Sequence, residues 1–279
     1  MTTANQTSFT LKFLGPQWFA TVMGLAGLAL AWTTAVPKMG PAAEWVARGI
    51  GGFAALVFLV LLALFSRRGQ LYPEALTADL LHPVRHAFFA TITVALILLA
   101  TLGYALYGMS VFWETLWLLA CLLQFAVTVW VLSRWWRGNN VGGFQWPGIT
   151  PVLIIPVVGN VLAPLAGVPL GQHEWAAVQF GIGAFLWPVL MALIFVRIGV
   201  HGMWPDRLLP TGFITVAPSA RPGWLKNSVR LAWSKPLGGP QVRVRPARVS
   251  SIFSAVPERH TRACRRSIGW CGPQLASVG

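Results

Sequence analysis

Apolar residues along the chain gather into runs of about twenty, separated by short polar or Gly/Pro-bearing stretches. As a helix, a run of that length crosses the ~30 Å hydrocarbon core of a bilayer. The pattern predicts six full spans, at about 13–36, 43–65, 86–108, 111–132, 148–167 and 175–196, and a partial seventh at 211–218. The fold class implied is an all-α polytopic membrane protein. The connections at 109–110 and 168–174 are short, so the helices are expected to pair as antiparallel hairpins: first with second, third with fourth, fifth with sixth. Residues 1–12 form a short N-terminal tail. The first run is longer than the ~7–15 apolar residues of a cleavable signal peptide and is read as a retained helix.

The spans differ in character within each pair. Even spans are bulky, as in Phe53 to Phe65, whereas odd spans open on a proline and carry small residues. The first has Pro16, Gly24 and Gly27; the third follows His82-Pro83 and includes Thr91, Thr93, Thr101 and Gly103; the fifth has Pro151, Pro156, Gly159, Asn160, Pro164 and Gly167. Proline inside a span frees a carbonyl and kinks the helix. That is tolerated at membrane depth where protein covers the backbone or a wet cavity runs beside it. The expectation is an inner layer of odd helices and an outer, lipid-facing layer of even ones. Phe19, Met23, Gly24, Gly27, Thr91, Pro156, Gly159 and Asn160 are the candidate pore-lining residues, with the Asn160 amide as an anion-contacting donor. Phe58 and Leu62 are expected to face lipid.

Composition supports the membrane reading. Of 279 residues, 56% are hydrophobic and 10% charged, against about 25% charged in an average soluble domain. A soluble enzyme of this size could not hide so much apolar surface. The net charge of +14 is uneven: residues 1–220 hold ten Lys+Arg against six Asp+Glu, residues 221–279 eleven against one. Arg67, Arg68 and Arg85 fall in the second connection, Arg134 and Arg137 in the fourth, Arg197 and Arg207 in the sixth. By the positive-inside rule those connections and the N-terminus face the cytoplasm, and 37–43 and 168–174 the other side. The expected location is the bacterial inner membrane.

Candidate chemistry is sparse. Carboxylates Glu114 and Glu174 stand at helix ends, and no Asp, Glu, Lys or Arg sits mid-span on an odd helix. Proton-coupled carriers need a titratable interior group, and cation channels use carboxylate rings. An anion path can do without either, because broken helices direct N–H groups and dipoles at it. His82, Arg85 and His86 are expected to form a basic cytoplasmic entrance. His82 and His86 have metal spacing on a helix, but no histidine on another span lies at matching depth, so neither a metal nor another cofactor is expected. No catalytic set or phosphate loop of the Gly-x4-Gly-Lys type occurs, and the reading is not an enzyme. The three cysteines (Cys121, Cys264, Cys271) suggest no disulfide framework. The basic tail lacks the aromatic interleaving of a nucleic-acid module, and no nucleic-acid partner is expected.

Several of these stretches together resemble one family. Gly24-Leu-Ala-Gly-Leu-Ala-Leu-Ala-Trp32, His82-Pro-Val-Arg85, Pro156-Val-Val-Gly-Asn160, Trp187-Pro-Val-Leu190 and Phe213-Ile-Thr-Val-Ala-Pro218 are similar, in order, to the tellurite-resistance/dicarboxylate transporter family, which includes the plant slow-type anion channels. The resemblance covers about residues 13–218. It implies ten helices in five hairpins, a pore lined by odd helices, homotrimers, and an anion conductance occluded by a phenylalanine on the ninth helix. Chloride, nitrate, tellurite and C4-dicarboxylates all stay open as substrates. A transporter of another superfamily and a membrane-anchor subunit of an enzyme complex are the competing readings; the one would need a midplane titratable residue, the other paired axial histidines.

The chain departs from that pattern after Pro218. No counterpart of helices eight to ten follows, and neither Phe213 nor Phe253 is assigned the gating role. Residues 219–279 are rich in Arg, Pro, Ser and Gly without helical or strand period. The expectation is a disordered basic tail produced by a shifted reading frame, and a truncated, poorly conducting product.

Overall fold

A computed structural model describes residues 11–82, 84–135 and 146–204. The N-terminal ten residues, the partial seventh span, the tail at 219–279, Arg137 and Arg207 lie outside the described residues, and so do the expectations placed on them. Among the described residues the regular structure is entirely helical. A 3₁₀ turn, Pro16–Trp18, leads into α1 (Phe19–Met39), followed by α2 (Pro41–Leu71) and α3 (Pro73–Leu81). A second 3₁₀ turn, Arg85–Phe89, leads into α4 (Ala90–Tyr107), and α5 spans Val111–Trp135. Then come 3₁₀ turns Trp146–Gly148 and Pro151–Ile154, α6 (Ile155–Leu162), α7 (Pro164–Gly167) and α8 (His173–His201).

The boundaries follow from backbone chemistry. Gly40, at φ +72°, ends α1 while its N–H reaches Val36 O at 2.9 Å. Pro41 then opens α2, where a missing N–H costs nothing. Gly108, at φ +80°, closes α4 the same way on Tyr104 O; only glycine adopts that φ cheaply. The connection at 66–85, which carries no helix in the sequence reading, is partly helical: α2 continues to Leu71, and Pro73 starts α3.

Five helices are long and apolar enough to cross a membrane: Pro16–Met39, Pro41–Leu71, Arg85–Tyr107, Val111–Arg134 and His173–His201. The fifth predicted span differs from expectation. Instead of one continuous helix, residues 148–167 form a 3₁₀ turn, two turns of α-helix and one last turn. Pro151, Pro156 and Pro164 each lack an N–H, and each ring crowds the preceding turn. Seventeen residues, Pro151–Gly167, would reach only about 25 Å even as regular helix, so this segment is shorter than the crossing predicted for it.

α2 packs along α1, α5 along α4, and α8 along α6 and α7; α4 also packs against both α1 and α6. Burial marks α4 as central, with 67% of its most apolar stretch inside the protein against 17–33% for the other four long helices. Its Thr, Val and Ala side chains permit close approach on several sides. Every residue from Ile155 to Val161 of α6 is buried as well. α2 exposes Phe53, Leu56, Leu59 and Val60, and α8 exposes Phe185, Val189, Phe195 and Val196. Apolar faces of that extent belong in lipid, and the protein is a multi-pass membrane protein. α1, at 22%, is buried no more than α8 and only slightly more than α2, at 17%. One lipid-facing expectation is corrected: Phe58 is only 6% exposed and stands edge-on to Phe19 at 5.6 Å, because its side of α2 is the one that meets α1. Leu62 is exposed, as expected.

Candidate functional site

The broken segment is held by an uncharged polar network in the middle of the bundle. Pro156 O receives Gln124 Nε2 at 2.6 Å and Asn160 Nδ2 at 2.8 Å. Asn160 Nδ2 also donates to Thr128 Oγ1 at 2.7 Å, and Thr93 Oγ1 donates to Gln124 Oε1. Thr128 Oγ1 lies 3.4 Å from the same carbonyl, so three side chains from α5 and α6 reach it and Thr93 of α4 joins through Gln124; all four are at most 6% exposed. Because a carbonyl only accepts, the bonds to Pro156 O fix which end of each amide carries nitrogen. Nearby, Trp117 Nε1 donates to Ala163 O at 3.1 Å, and Gln179 Nε2 of α8 donates to Cys121 O at 2.7 Å. A helix broken by proline stays at membrane depth here because neighbouring side chains cover its backbone.

This geometry changes the role foreseen for Asn160. Both of its amide hydrogens are engaged inside the protein, and the atom without a partner among the described residues is the acceptor Oδ1. It braces the break and is not a free donor for an anion. Gly159 serves the same junction, since a Cβ there would strike the Gln124 amide. Thr91 is fully buried, its hydroxyl shared between Pro16 O at 2.8 Å and Phe88 O at 2.6 Å, and so ties the start of α1 to α4. Phe19 fills the α1–α2 contact with Val22, Phe58 and Leu61. Met23 is half-buried. Gly24 and Gly27 differ from all of these: they are exposed, and open space lies where a Cβ would stand. The eight residues therefore divide into an open strip on α1 and a braced interior behind it. Gln124, Thr128 and Gln179 are not among the residues expected from the sequence; their readable signal is uncharged polarity in apolar runs, with Gln124 and Thr128 one turn apart on the same face.

At the opposite pole from Gly40 and Gly108, the helix ends carry a cluster of charged side chains. Arg68, 3% exposed, donates through Nη2 to Asp79 Oδ2 at 2.6 Å and through Nε to Lys12 O at 3.0 Å. Arg85 reaches the other Asp79 oxygen at 3.1 Å. Arg134 Nη1 caps the last turn of α3 at Leu80 O, 2.7 Å. His82 is not on a helix face with His86, because it caps α3 in extended conformation and its Nδ1 accepts from the backbone N–H of Val84 and Arg85, at 3.1 and 3.3 Å. Burial, and then the Arg85 guanidinium, lower its pKa, with Asp79 pulling the other way. His86 is buried, its Nδ1 at 2.9 Å from His82 O and its ring edge-on to Trp130. The three expected entrance residues thus point to different surroundings, and only Arg85 joins the open cleft formed with Lys12, Gln17, Arg68 and Asp79. Among the described residues no group of three or more His, Cys, Asp or Glu could hold a metal.

Comparison with known proteins bears on this arrangement. The voltage-dependent anion channel family matches residues 14–223. An uncharacterised transporter of Methanocaldococcus jannaschii is 28% identical over 222 residues, covering 75% of this chain and 62% of its own length. A homologue of the tellurite resistance protein TehA from Haemophilus influenzae is 25% identical over 203 residues (72% and 60%). The S-type anion channel SLAH3 of Arabidopsis thaliana is 24% identical over 225 residues (79% and 34%). The chain spans at most about three fifths of the length of these relatives.

Proposed function

The chain belongs to the voltage-dependent anion channel family, and from that membership we propose that it moves small inorganic or organic anions across a membrane. The observation that carries the proposal is the family match over residues 14–223, the stretch that contains every crossing helix described above. The chemistry of the bundle agrees with it. Charged residues of the described spans, such as Lys38, Glu44, Glu114 and Arg197, stand toward helix ends, which leaves an interior that would neither trap an anion nor require a proton to release it.

In this reading the path runs along the open strip of α1 at Met23, Gly24 and Gly27. Phe19, Thr91, Pro156, Gly159 and Asn160 shape the wall behind it, and Arg85 marks its basic mouth. α1, α4 and the α6–α7 segment form the inner layer; α2, α5 and α8 pair with them as hairpins and meet lipid. The burial of α4 and α6 and the apolar outer faces of α2 and α8 support this layering. The N-terminus and the Arg67–Arg85 connection lie in the cytoplasm, by the arginine distribution, and the membrane is a bacterial inner membrane. Assembly as a homotrimer follows the family resemblance.

The test is anion efflux from proteoliposomes containing the full chain. Gly24→Trp and Gly27→Trp have room for the new ring on the α1 surface and are expected to cut chloride or nitrate efflux severalfold. Phe185→Trp, on the exposed face of α8, should leave it unchanged. Efflux through Gly24→Trp and Gly27→Trp equal to that of the parent chain would remove α1 from the path.

A further inference from the structure

Apart from conduction, we infer that the cleft between the start of α1, the end of α2 and α3 is a binding site for a phosphate-type oxyanion, supplied either free in solution or as a lipid headgroup. Three cations, Lys12, Arg68 and Arg85, line it together with one carboxylate, Asp79, and the Gln17 amide. The cleft has a volume of about 140 Å³. One carboxylate against three cations leaves the lining of the cleft with an excess of positive charge.

Arg68 forms the floor. Its Nε and Nη2 are engaged by Lys12 O, Asp79 Oδ2 and, at 3.5 Å, Ala75 O, whereas the buried Nη1 has no acceptor among the described residues. A buried guanidinium with unused donors is costly unless negative charge nearby offsets it. Asp79 offsets part of it, and in doing so shows what the cleft recognises: its two oxygens bridge Arg68 and Arg85, at 2.6 and 3.1 Å. Planar guanidinium groups at that spacing suit anions with several oxygens better than a single-centre halide. Arg85, with 57% of its side chain exposed, and the exposed Lys12 supply donors on the open side. An arriving oxyanion would be held by these two, over the potential of Arg68, and would share Arg85 with Asp79. Phe13 and Trp18, both largely exposed, flank the same end. Aromatic side chains of this kind sit at headgroup level, which brings lipid phosphates within reach of the cleft.

The experiment uses the full chain in a non-ionic detergent, unfolded thermally in sodium phosphate or in sodium chloride at equal ionic strength. Phosphate is expected to raise the unfolding temperature above that in chloride. Arg85→Gln and Lys12→Gln, both at exposed positions, should fold normally and shift the phosphate midpoint upward about tenfold each, the loss of one charge-assisted bond. Asp79→Asn, if it folds, should show a larger phosphate response than the parent because the internal competitor is gone. In nanodiscs, a phosphate response that persists in phosphatidylcholine and vanishes in phosphatidylglycerol identifies the headgroup as occupant; persistence in both identifies free phosphate. The inference is overturned if the parent chain responds equally to phosphate and chloride, or if Arg85→Gln and Lys12→Gln retain the parent's phosphate midpoint.

Discussion

Replacing Gly159 by alanine should destabilise the parent protein and stabilise a Gln124→Ala variant, a reversal of sign that tests the brace around Pro156. In the parent, the new methyl would lie in hard contact with the carbon, nitrogen and oxygen of the Gln124 amide. That amide cannot easily retreat, because Pro156 O and Thr93 Oγ1 hold its two ends and the residue is fully buried. Overpacking of this kind costs about 1–3 kcal/mol. Gln124→Ala alone removes the bonds to Pro156 O, Thr93 and Thr128, each worth about 0.6 kcal/mol on average inside a membrane, so it should cost about 2 kcal/mol. With the amide gone, the methyl at 159 meets none of those three atoms and keeps the helix-propensity gain of alanine over glycine, up to about 1 kcal/mol. The coupling between the two sites is therefore expected at roughly 2–4 kcal/mol. It can be measured as a double-mutant cycle by reversible unfolding in mixed micelles. If Gly159→Ala costs the same in both backgrounds, Gln124 does not occupy the space beside Gly159, and the described brace is wrong.

Three further outcomes follow from named contacts. Asp79→Ala should cost about 3–5 kcal/mol, since it leaves the 3%-exposed Arg68 charge buried without its carboxylate; the Arg68→Met, Asp79→Leu double variant should recover much of that loss in the same unfolding assay. His82 has a folded-state pKa below the ordinary value of 6.5, so the folded protein binds fewer protons at this site than the unfolded chain. Its contribution is present above pH 6.5 and is lost as pH falls toward the folded pKa; His82→Asn, which keeps an acceptor for the Val84 and Arg85 amides, should show a smaller drop in unfolding temperature between pH 7.5 and 5.5 than the parent. Single cysteines at Gln70 and Pro169, both exposed, in a background without Cys121, Cys264 and Cys271, should label from opposite sides of the membrane; labelling from one side would refute the proposed orientation.

The crossing helices were legible because twenty apolar residues in a row have few other destinations, and because Gly40 and Gly108 stop the backbone where the hydropathy also falls. Three prolines announced that the fifth segment bends. They did not announce that it falls short of a full crossing, since that depends on how many turns survive between Pro151 and Pro164. Gln124 and Thr128 carry no charge and stand in an apolar run, so charge patterning does not mark them; their partner, the Pro156 carbonyl, needs only an uncharged donor. Asp79 was not foreseen as the partner of Arg68 because α3 lies inside a stretch that carries no apolar run of crossing length, and a helix of nine residues leaves little periodicity to detect. Gly24 and Gly27 were identified as small, yet which side of α1 stays open depends on where α2 and α4 pack.

The claim that this chain provides a path for anions is tested most directly by its ion selectivity in planar bilayers under a potassium chloride gradient. Currents are expected to reverse close to the chloride equilibrium potential and to fall in Gly24→Trp. Reversal near the potassium potential, or current no greater than in protein-free bilayers, would contradict it.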